Sequence, residues 1–203
     1  MLTGIEYAHS EEKRTFDRRA VHLVRPFALA ARSALQYSGV EDVEFQQERV
    51  GQKGILFNAY KLRTLQHDGL TPIDPKAAFF RRSGLDELIQ YKNVLEGSMS
   101  IVARRPLTPQ EYDEAFDDVP GHTIDEYLDV VVPTRPGMVS SFVIESHLGN
   151  IADHAMRLQR LEMDIQDVRD GSRERDKELF WRAISYGLGN KMRRGDIRPR
   201  KAA

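Results

Sequence analysis

The 203-residue chain contains no cysteine, which excludes disulfides and thiolate metal sites and is typical of a reducing compartment. It has no apolar run approaching the roughly 20 residues of a membrane-spanning helix, and its amino terminus lacks a signal-peptide pattern. We therefore expect neither a spanning helix nor secretion by that route. An excess of one charge is also missing: 30 Lys and Arg against 31 Asp and Glu give a net charge of −1. No overall field favours nucleic acid, so we expect no nucleic-acid partner.

The patterns that are present predict a mainly helical, single-domain α+β fold with a small β-hairpin. Two runs rich in β-branched and aromatic residues, 43–49 and 55–62, flank Gly51 and Gly54 and predict the hairpin. Thr108, followed by a proline and then a glutamate three residues after the threonine, predicts a capped helix start. Further helical patterns cover residues 85–95, 152–170 and 173–186.

Composition divides the chain into four segments. Residues 1–12 are polar and predicted to be flexible, and residues 13–40 form an amphipathic helix. Residues 41–188 make up the folded core, and residues 189–203 form a basic, flexible tail.

The amphipathic helix is predicted to kink or break near Arg25 into two short halves, because Pro26 removes a backbone hydrogen bond and clashes with the preceding turn. Its polar residues share one helical seam, and its apolar residues cover much of the rest. Two interpretations stay open: a helix lying in the headgroup region of a membrane, or a soluble helix packed on the core. The seam consists of Arg18, His22, Arg25, Arg32 and Gln36, and the apolar set of Val21, Val24, Phe27, Ala28, Ala31 and Leu35.

The acidic pair Asp86–Glu87 follows two arginines and precedes an apolar-periodic run. One interpretation is structural: Ser83 caps a helix, and the acids favour its positive end by ~0.3–1 kcal/mol. The other is chemical, because cations on both sides of the pair are suited to binding phosphate, and a carboxylate among them can act as a nucleophile or a metal ligand. These cations are Lys61, Arg63, Arg81, Arg82, Arg104 and Arg105.

The chain contains, in this order, the segments "KRTFD", "FQQERVGQKGILFNAYKLRT", "GLDELIQYKNVLEGSMSIVARRPL" and "RPGM". In sequence and in order, these four segments resemble the bacterial sugar transferases, which are monotopic phosphoglycosyl transferases. The resemblance runs from about Lys13 to Ile184, and it identifies residues 41–188 as the catalytic core. It implies transfer of a sugar phosphate from a nucleotide diphosphate sugar to polyprenyl phosphate with Mg²⁺, as the first step of exopolysaccharide or related glycan assembly. The implied place is the cytoplasmic face of the bacterial inner membrane, peripheral or shallowly monotopic; the alternative is cytoplasmic.

The resemblance also implies residue roles. Asp86 matches the nucleophile, which carries the sugar phosphate covalently and binds Mg²⁺, and Glu87 matches its acidic partner. Arg105 matches the arginine of a "PRP" element, and Lys61 and Arg63 match a "YKxRT" element. Phosphate contacts are the implied roles of these three residues. Arg81 matches an arginine upstream of the acidic pair and is implied to bind substrate.

Three residues depart from the family pattern. Gly84 replaces a serine or threonine before the acidic pair, Ser98 replaces an aspartate, and Arg104 replaces the first proline of "PRP". They leave open an alternative function: a non-catalytic relative that binds a nucleotide sugar or regulates a partner transferase.

Overall fold

The computed structural model of the protein describes residues 2–66, 68–148 and 156–189. The helices in these ranges are α1 (Gly4–His9), α2 (Glu11–Tyr37), α3 (Pro75–Ser83), α4 (Tyr91–Glu96), α5 (Pro109–Glu114), α6 (Gly121–Val130), α7 (Ser141–Leu148), α8 (Met156–Arg169) and α9 (Arg173–Gly189). The strands are β1 (Glu44–Val50), β2 (Leu56–Leu62), β3 (Ser100–Val102) and β4 (Gly137–Val139), and short 3₁₀ helices cover Gln52–Gly54 and Leu85–Gln90. The predicted mainly helical α+β fold is confirmed.

The strands form two small sheets. β1 and β2 are the two arms of the predicted hairpin, antiparallel, with Glu44 opposite Leu62 and Val50 opposite Leu56. β3 and β4 are parallel, with Ser100 opposite Gly137. The second sheet matters for function because β3 leads directly into Arg104 and Arg105, and β4 lies beside this segment.

Helix α2 is the centre of the core. Ser10 caps it by accepting a hydrogen bond from the Lys13 backbone N–H. One stripe of the helix is buried against the 3₁₀ helix Leu85–Gln90, α4, β3 and α9. This stripe consists of Phe16, Ala20, Val21, Val24, Ala28, Ala31 and Leu35.

Of the predicted kink or break near Arg25, the break into two halves is wrong, because α2 continues through Pro26. Pro26 is exposed, while Val24 and Ala28 on either side of it are buried. Tertiary packing of both halves therefore outweighs the one backbone hydrogen bond that proline removes.

The predicted flexible segment over residues 1–12 is also wrong where α1 forms. Thr3 and Glu6 make a reciprocal capping box, and the buried Tyr7 donates a hydrogen bond to Asp176 at 2.8 Å. Gly4 allows the close approach to α8, since a Cβ there would lie 2.1 Å from the carbonyl oxygen of Val168. The tail predicted for residues 189–203 lies outside the described residues, apart from Gly189.

Lys13 and Asp17 of the "KRTFD" segment tie α2 to the second sheet. The Lys13 ammonium, which is buried, donates to the Val102 carbonyl at 2.6 Å and pairs with Asp176. Asp17 accepts hydrogen bonds from the Ser100 hydroxyl and the backbone N–H that follows it. Because buried charges are costly unless paired, this network fixes β3, and with it the start of the segment that carries Arg105.

Candidate active site

The acidic pair lies on the 3₁₀ helix Leu85–Gln90, directly after a sharp change of chain direction at Gly84. Gly84 has φ 72°, a left-handed conformation that ends α3 and that a serine or threonine adopts only with strain. The predicted cap by Ser83 is wrong: its hydroxyl donates to the carbonyls of Phe79 and Phe80 inside α3. The glycine that departs from the family pattern is thus the residue that this turn requires.

Asp86 is buried, with 7% of its surface exposed. Among the described residues, no side chain donates a hydrogen bond to its carboxylate. Burial, followed by the negative charge of Glu87, raises the pKa of Asp86 to about 6, against the opposing charges of Lys61 and Arg81. The carboxyl group is therefore mainly ionised at neutral pH and is not committed to a neighbouring cation.

Glu87 has the opposite environment. Arg105 donates two hydrogen bonds to it, Nη1 to Oε2 at 2.8 Å and Nη2 to Oε1 at 2.9 Å, and the Lys61 ammonium lies 3.2 Å from Oε1. Burial acts to raise the pKa of Glu87, but Arg105 and Lys61 outweigh it and hold this pKa well below its usual range. The Glu87 charge in turn raises the pKa of Arg105. Glu87 is therefore a fixed anion that orients two cations.

These two cations reach Glu87 from distant parts of the chain. Lys61 is on β2, and Arg105 follows β3. Gly137 on β4 allows the close packing behind Arg105, because a Cβ there would lie 2.3 Å from the backbone nitrogen of Ala103. Burial lowers the pKa of Lys61, with Glu87 opposing this effect.

A small cleft, with a cavity volume of about 10 Å³, opens beside Lys61 and Arg105. Arg49 on β1 contributes a third cation to its wall, held by Glu111 at 2.9 Å and by the carbonyl of Pro106 at 3.3 Å. The remaining lining residues are Gln90, Pro106, Gly137 and Met138. The cleft is too small to enclose a diphosphate, but the three cations around it are suited to contacting phosphate oxygens at its mouth.

Sequence reasoning missed Arg49. The available signal was that Arg49 is the one cation in the strand "EFQQERV", and that its strand pairs with the one that carries Lys61. The sequence does not show, however, that this arginine is buried to 6% exposure and turned toward the cleft wall.

The structure does not bring Arg63 and Arg81 into contact with Glu87. Arg63 donates to the Asp42 carbonyl at 2.9 Å and its guanidinium lies over the Phe45 ring, at 5.5 Å from the centroid. Arg81 is exposed in the last turn of α3, where its charge lowers the pKa of Asp86. Their substrate-binding roles remain predictions.

Ser98, the second departure, has a structural role. Its hydroxyl donates to the Asn93 carbonyl at 3.2 Å and accepts from the Asn93 amide at 3.3 Å. The same amide group bonds to the backbone of β2 at Asn58 and Tyr60. Ser98 therefore joins the end of α4 to the hairpin, without any contact to the acidic pair.

Of the acidic pair, Asp86 is the residue whose carboxylate could bind a magnesium ion. Mg²⁺ is usually held by one or two carboxylates together with substrate phosphates and water. Asp86 has a carboxylate without side-chain donors, whereas Glu87 is neutralised by two cations. Within the described ranges, no cluster of three metal-ligating side chains exists, so Asp86 and a bound phosphate form the donor set that these residues offer.

The chain belongs to the bacterial sugar transferase family, whose family model matches residues 10–190. It is 27% identical over 180 residues to the UDP-glucose:undecaprenyl-phosphate glucose-1-phosphate transferase of Escherichia coli K12, covering 83% of this chain and 38% of that protein. It is 28% identical to the Caulobacter vibrioides transferase of the same name, covering 80% and 62%. It is also 29% identical to the undecaprenyl-phosphate galactose phosphotransferase of Salmonella typhimurium, covering 72% and 34%. The chain thus spans about a third to three fifths of the length of these relatives.

Proposed function

We propose that the protein is a phosphoglycosyl transferase that moves a sugar phosphate from a nucleotide diphosphate sugar to polyprenyl phosphate, as the first step of exopolysaccharide or related glycan assembly. The observation that carries this proposal is an uncommitted, buried carboxylate, Asp86, next to a glutamate that orients cations at the edge of a cleft. The family membership supports the same reaction.

In the first step, Lys61, Arg105 and Arg49 bind the diphosphate at the mouth of the cleft. A carboxylate oxygen of Asp86 attacks the phosphorus that carries the sugar, and the bond from this phosphorus to the bridging oxygen breaks. The nucleoside monophosphate leaves with that oxygen, and Asp86 holds the sugar phosphate as an acyl phosphate. The cations offset the charge on the phosphoryl oxygens during the transfer.

In the second step, a phosphate oxygen of polyprenyl phosphate attacks the same phosphorus. The bond to Asp86 breaks, the carboxylate is regenerated, and polyprenyl diphosphate sugar is released. Asp86 would hold a Mg²⁺ ion, which would supply further charge neutralisation. Glu87 stays paired with Arg105 and Lys61 and keeps them in place throughout.

The lipid acceptor requires access to a membrane surface, and the exposed side of α2 supports an interfacial position on the cytoplasmic face. Within the described ranges, no helix has the length and apolar character to cross a bilayer. Leu23, Phe27 and Tyr37 share a side of α2 and are 49%, 60% and 91% exposed, and the exposed Arg19 lies one turn before Leu23 on the same side. Apolar side chains flanked by cations are typical of a helix lying in the headgroup region.

Of the two interpretations of the apolar set of α2, packing on the core describes every member except the exposed Phe27. Val21, Val24, Ala28 and Leu35 are buried in the protein core. Leu35 has no exposed surface, so a charged residue there would unfold the protein rather than report on membrane binding.

The alternative is a non-catalytic relative that binds a nucleotide sugar or regulates a partner transferase. The departure that favours it is Arg104, which stands next to Arg105 where the family has a proline. Such a relative would bind a nucleotide sugar without transferring its sugar phosphate.

The test is release of nucleoside monophosphate from a panel of nucleotide diphosphate sugars, with polyprenyl phosphate and Mg²⁺. We expect release by the wild type, none by Asp86→Ala, a strong reduction for Glu87→Ala, and little change for Asp125→Ala, a control at an exposed aspartate. If the wild type binds a nucleotide sugar but releases no monophosphate from any of them, the transferase proposal fails and the binding function stands.

A further inference from the structure

A second buried charge cluster lies behind the candidate site, formed by Arg104 after β3 and by Arg160 and Asp164 of α8. Arg104 and Asp164 are each 1% exposed. Among the described residues, Nε and Nη1 of Arg104, Nε of Arg160 and both carboxylate oxygens of Asp164 have no hydrogen-bond partner. The nearest ion pair in the cluster joins Arg160 Nε and Asp164 Oδ2 at 3.9 Å.

The unpartnered atoms have opposite signs, and the one carboxylate offsets part of the charge of the two guanidinium groups. Burial raises the pKa of Asp164 to about 7, and the charges of Arg160 and Arg104 oppose this effect. A buried charge is costly when its partner is missing, so each member depends on the others. The arginine that replaces the family's proline is thereby accommodated: its Nη2 donates to the Gly51 carbonyl at 2.9 Å, and Asp164 supplies a counter-charge.

One hydrogen bond joins this cluster to the site. Arg160 Nη2 donates to the backbone carbonyl of Arg105 at 3.1 Å, while the Arg160 guanidinium lies over the Phe142 ring, at 5.3 Å from its centroid. The Arg104 bond to Gly51 fixes the preceding residue. The backbone of residues 104 and 105 is therefore held from two sides at the point from which Arg105 extends to Glu87.

We propose that Arg160 is a positioning residue for Arg105, and that Asp164 and Arg104 fix it in this role through the buried cluster. This inference rests on the proposed function, in which Arg105 binds the diphosphate. Loss of the Arg160 bond would let the 104–105 backbone shift and would weaken the two-point contact between Arg105 and Glu87, without removing any group that touches substrate.

The test uses the full-length protein with Arg160→Met, which removes the hydrogen bond and keeps an apolar stem against Phe142. Arg160→Lys is the conservative variant. Arg157→Met is the matched control, because Arg157 is an exposed arginine one turn earlier on α8. The first readout is the rotation rate of the Arg105 guanidinium by Cζ-detected NMR, with the signal assigned by its loss in Arg105→Lys. The second is the split between KM and kcat for nucleotide release.

We expect Arg160→Met to speed rotation of the Arg105 guanidinium about tenfold and to raise KM for the nucleotide sugar about tenfold, with kcat within about twofold. In Arg160→Lys, the rotation rate and KM should lie close to their wild-type values. Arg157→Met should change neither quantity. Equal rotation rates in Arg160→Met and Arg157→Met would overturn the proposal. If the wild type releases no nucleotide, the proposed function fails, but the rotation rates still decide whether Arg160 positions Arg105.

Discussion

Asp86 should destabilise the folded protein at neutral pH, and Asp86→Asn should therefore stabilise it. Burial and Glu87 raise the pKa of Asp86 from 3.8 to about 6. Each pH unit between these values corresponds to about 1.4 kcal/mol, so ionisation of Asp86 costs the folded state up to about 3 kcal/mol above pH 6. Asparagine keeps the shape of the side chain and removes this cost. A site that places a charge where folding disfavours it is typical of a catalytic position.

The pH dependence gives the sign of the effect. Because the pKa is raised in the folded state, the wild type is stabilised below pH 3.8 and loses this stability as the pH rises through 6. Urea unfolding at pH 7.5 should show Asp86→Asn to be more stable by up to about 3 kcal/mol, falling to about half of that at pH 5. Asp125→Asn, at an exposed position, should stay within about 0.5 kcal/mol of the wild type at both pH values. An Asp86→Asn variant no more stable than the wild type at pH 7.5 would refute the argument.

Three other variants test the site, its frame and the membrane surface. Arg105→Met removes two charge-assisted hydrogen bonds and should raise KM for the nucleotide sugar about tenfold or more in steady-state assays; an unchanged KM would contradict its role. Gly137→Ala places a Cβ 2.3 Å from a backbone nitrogen and should lower the free energy of unfolding by about 1–3 kcal/mol in urea, whereas Gly121→Ala, in open space, should not; equal losses would count against this packing. Phe27→Glu should reduce co-sedimentation of the protein with anionic lipid vesicles severalfold, at an unchanged melting temperature. Ile55→Glu, at the exposed hairpin turn, should sediment with vesicles as the wild type does. If Phe27→Glu also sediments like the wild type, this side of α2 is not the membrane contact.

The sequence predicted the features that local chemistry decides. The hairpin follows from two strand-forming runs around glycines, and the start of α5 follows from the capping box at Thr108, which forms as expected. The prediction of a break at Pro26 was wrong because packing on both sides of the proline keeps α2 continuous. No local sequence pattern contains this packing. The prediction of a flexible amino terminus was wrong for a similar reason. A hydrogen bond from Tyr7 to Asp176, which is distant in the sequence, holds α1 in place.

The site was predictable in its residue types but not in its geometry. The resemblance selected Asp86, Glu87, Lys61 and Arg105. Only the fold shows that two cations converge on Glu87 and that no side chain of the described residues donates a hydrogen bond to Asp86. Arg49 was not predicted as a site residue, because its position beside the cleft depends on strand pairing and on its contact with Glu111.

The most direct test of the proposed function is whether a covalent sugar-phosphate intermediate forms on Asp86. The full-length protein is mixed with its nucleotide diphosphate sugar and Mg²⁺, without polyprenyl phosphate, and its intact mass is measured, followed by peptide mapping. The proposed mechanism predicts a mass increase of one sugar phosphate on the peptide that contains Asp86, its loss on addition of polyprenyl phosphate, and its absence in Asp86→Ala. Release of nucleoside monophosphate with no adduct on Asp86, or with an adduct at another residue, would contradict it.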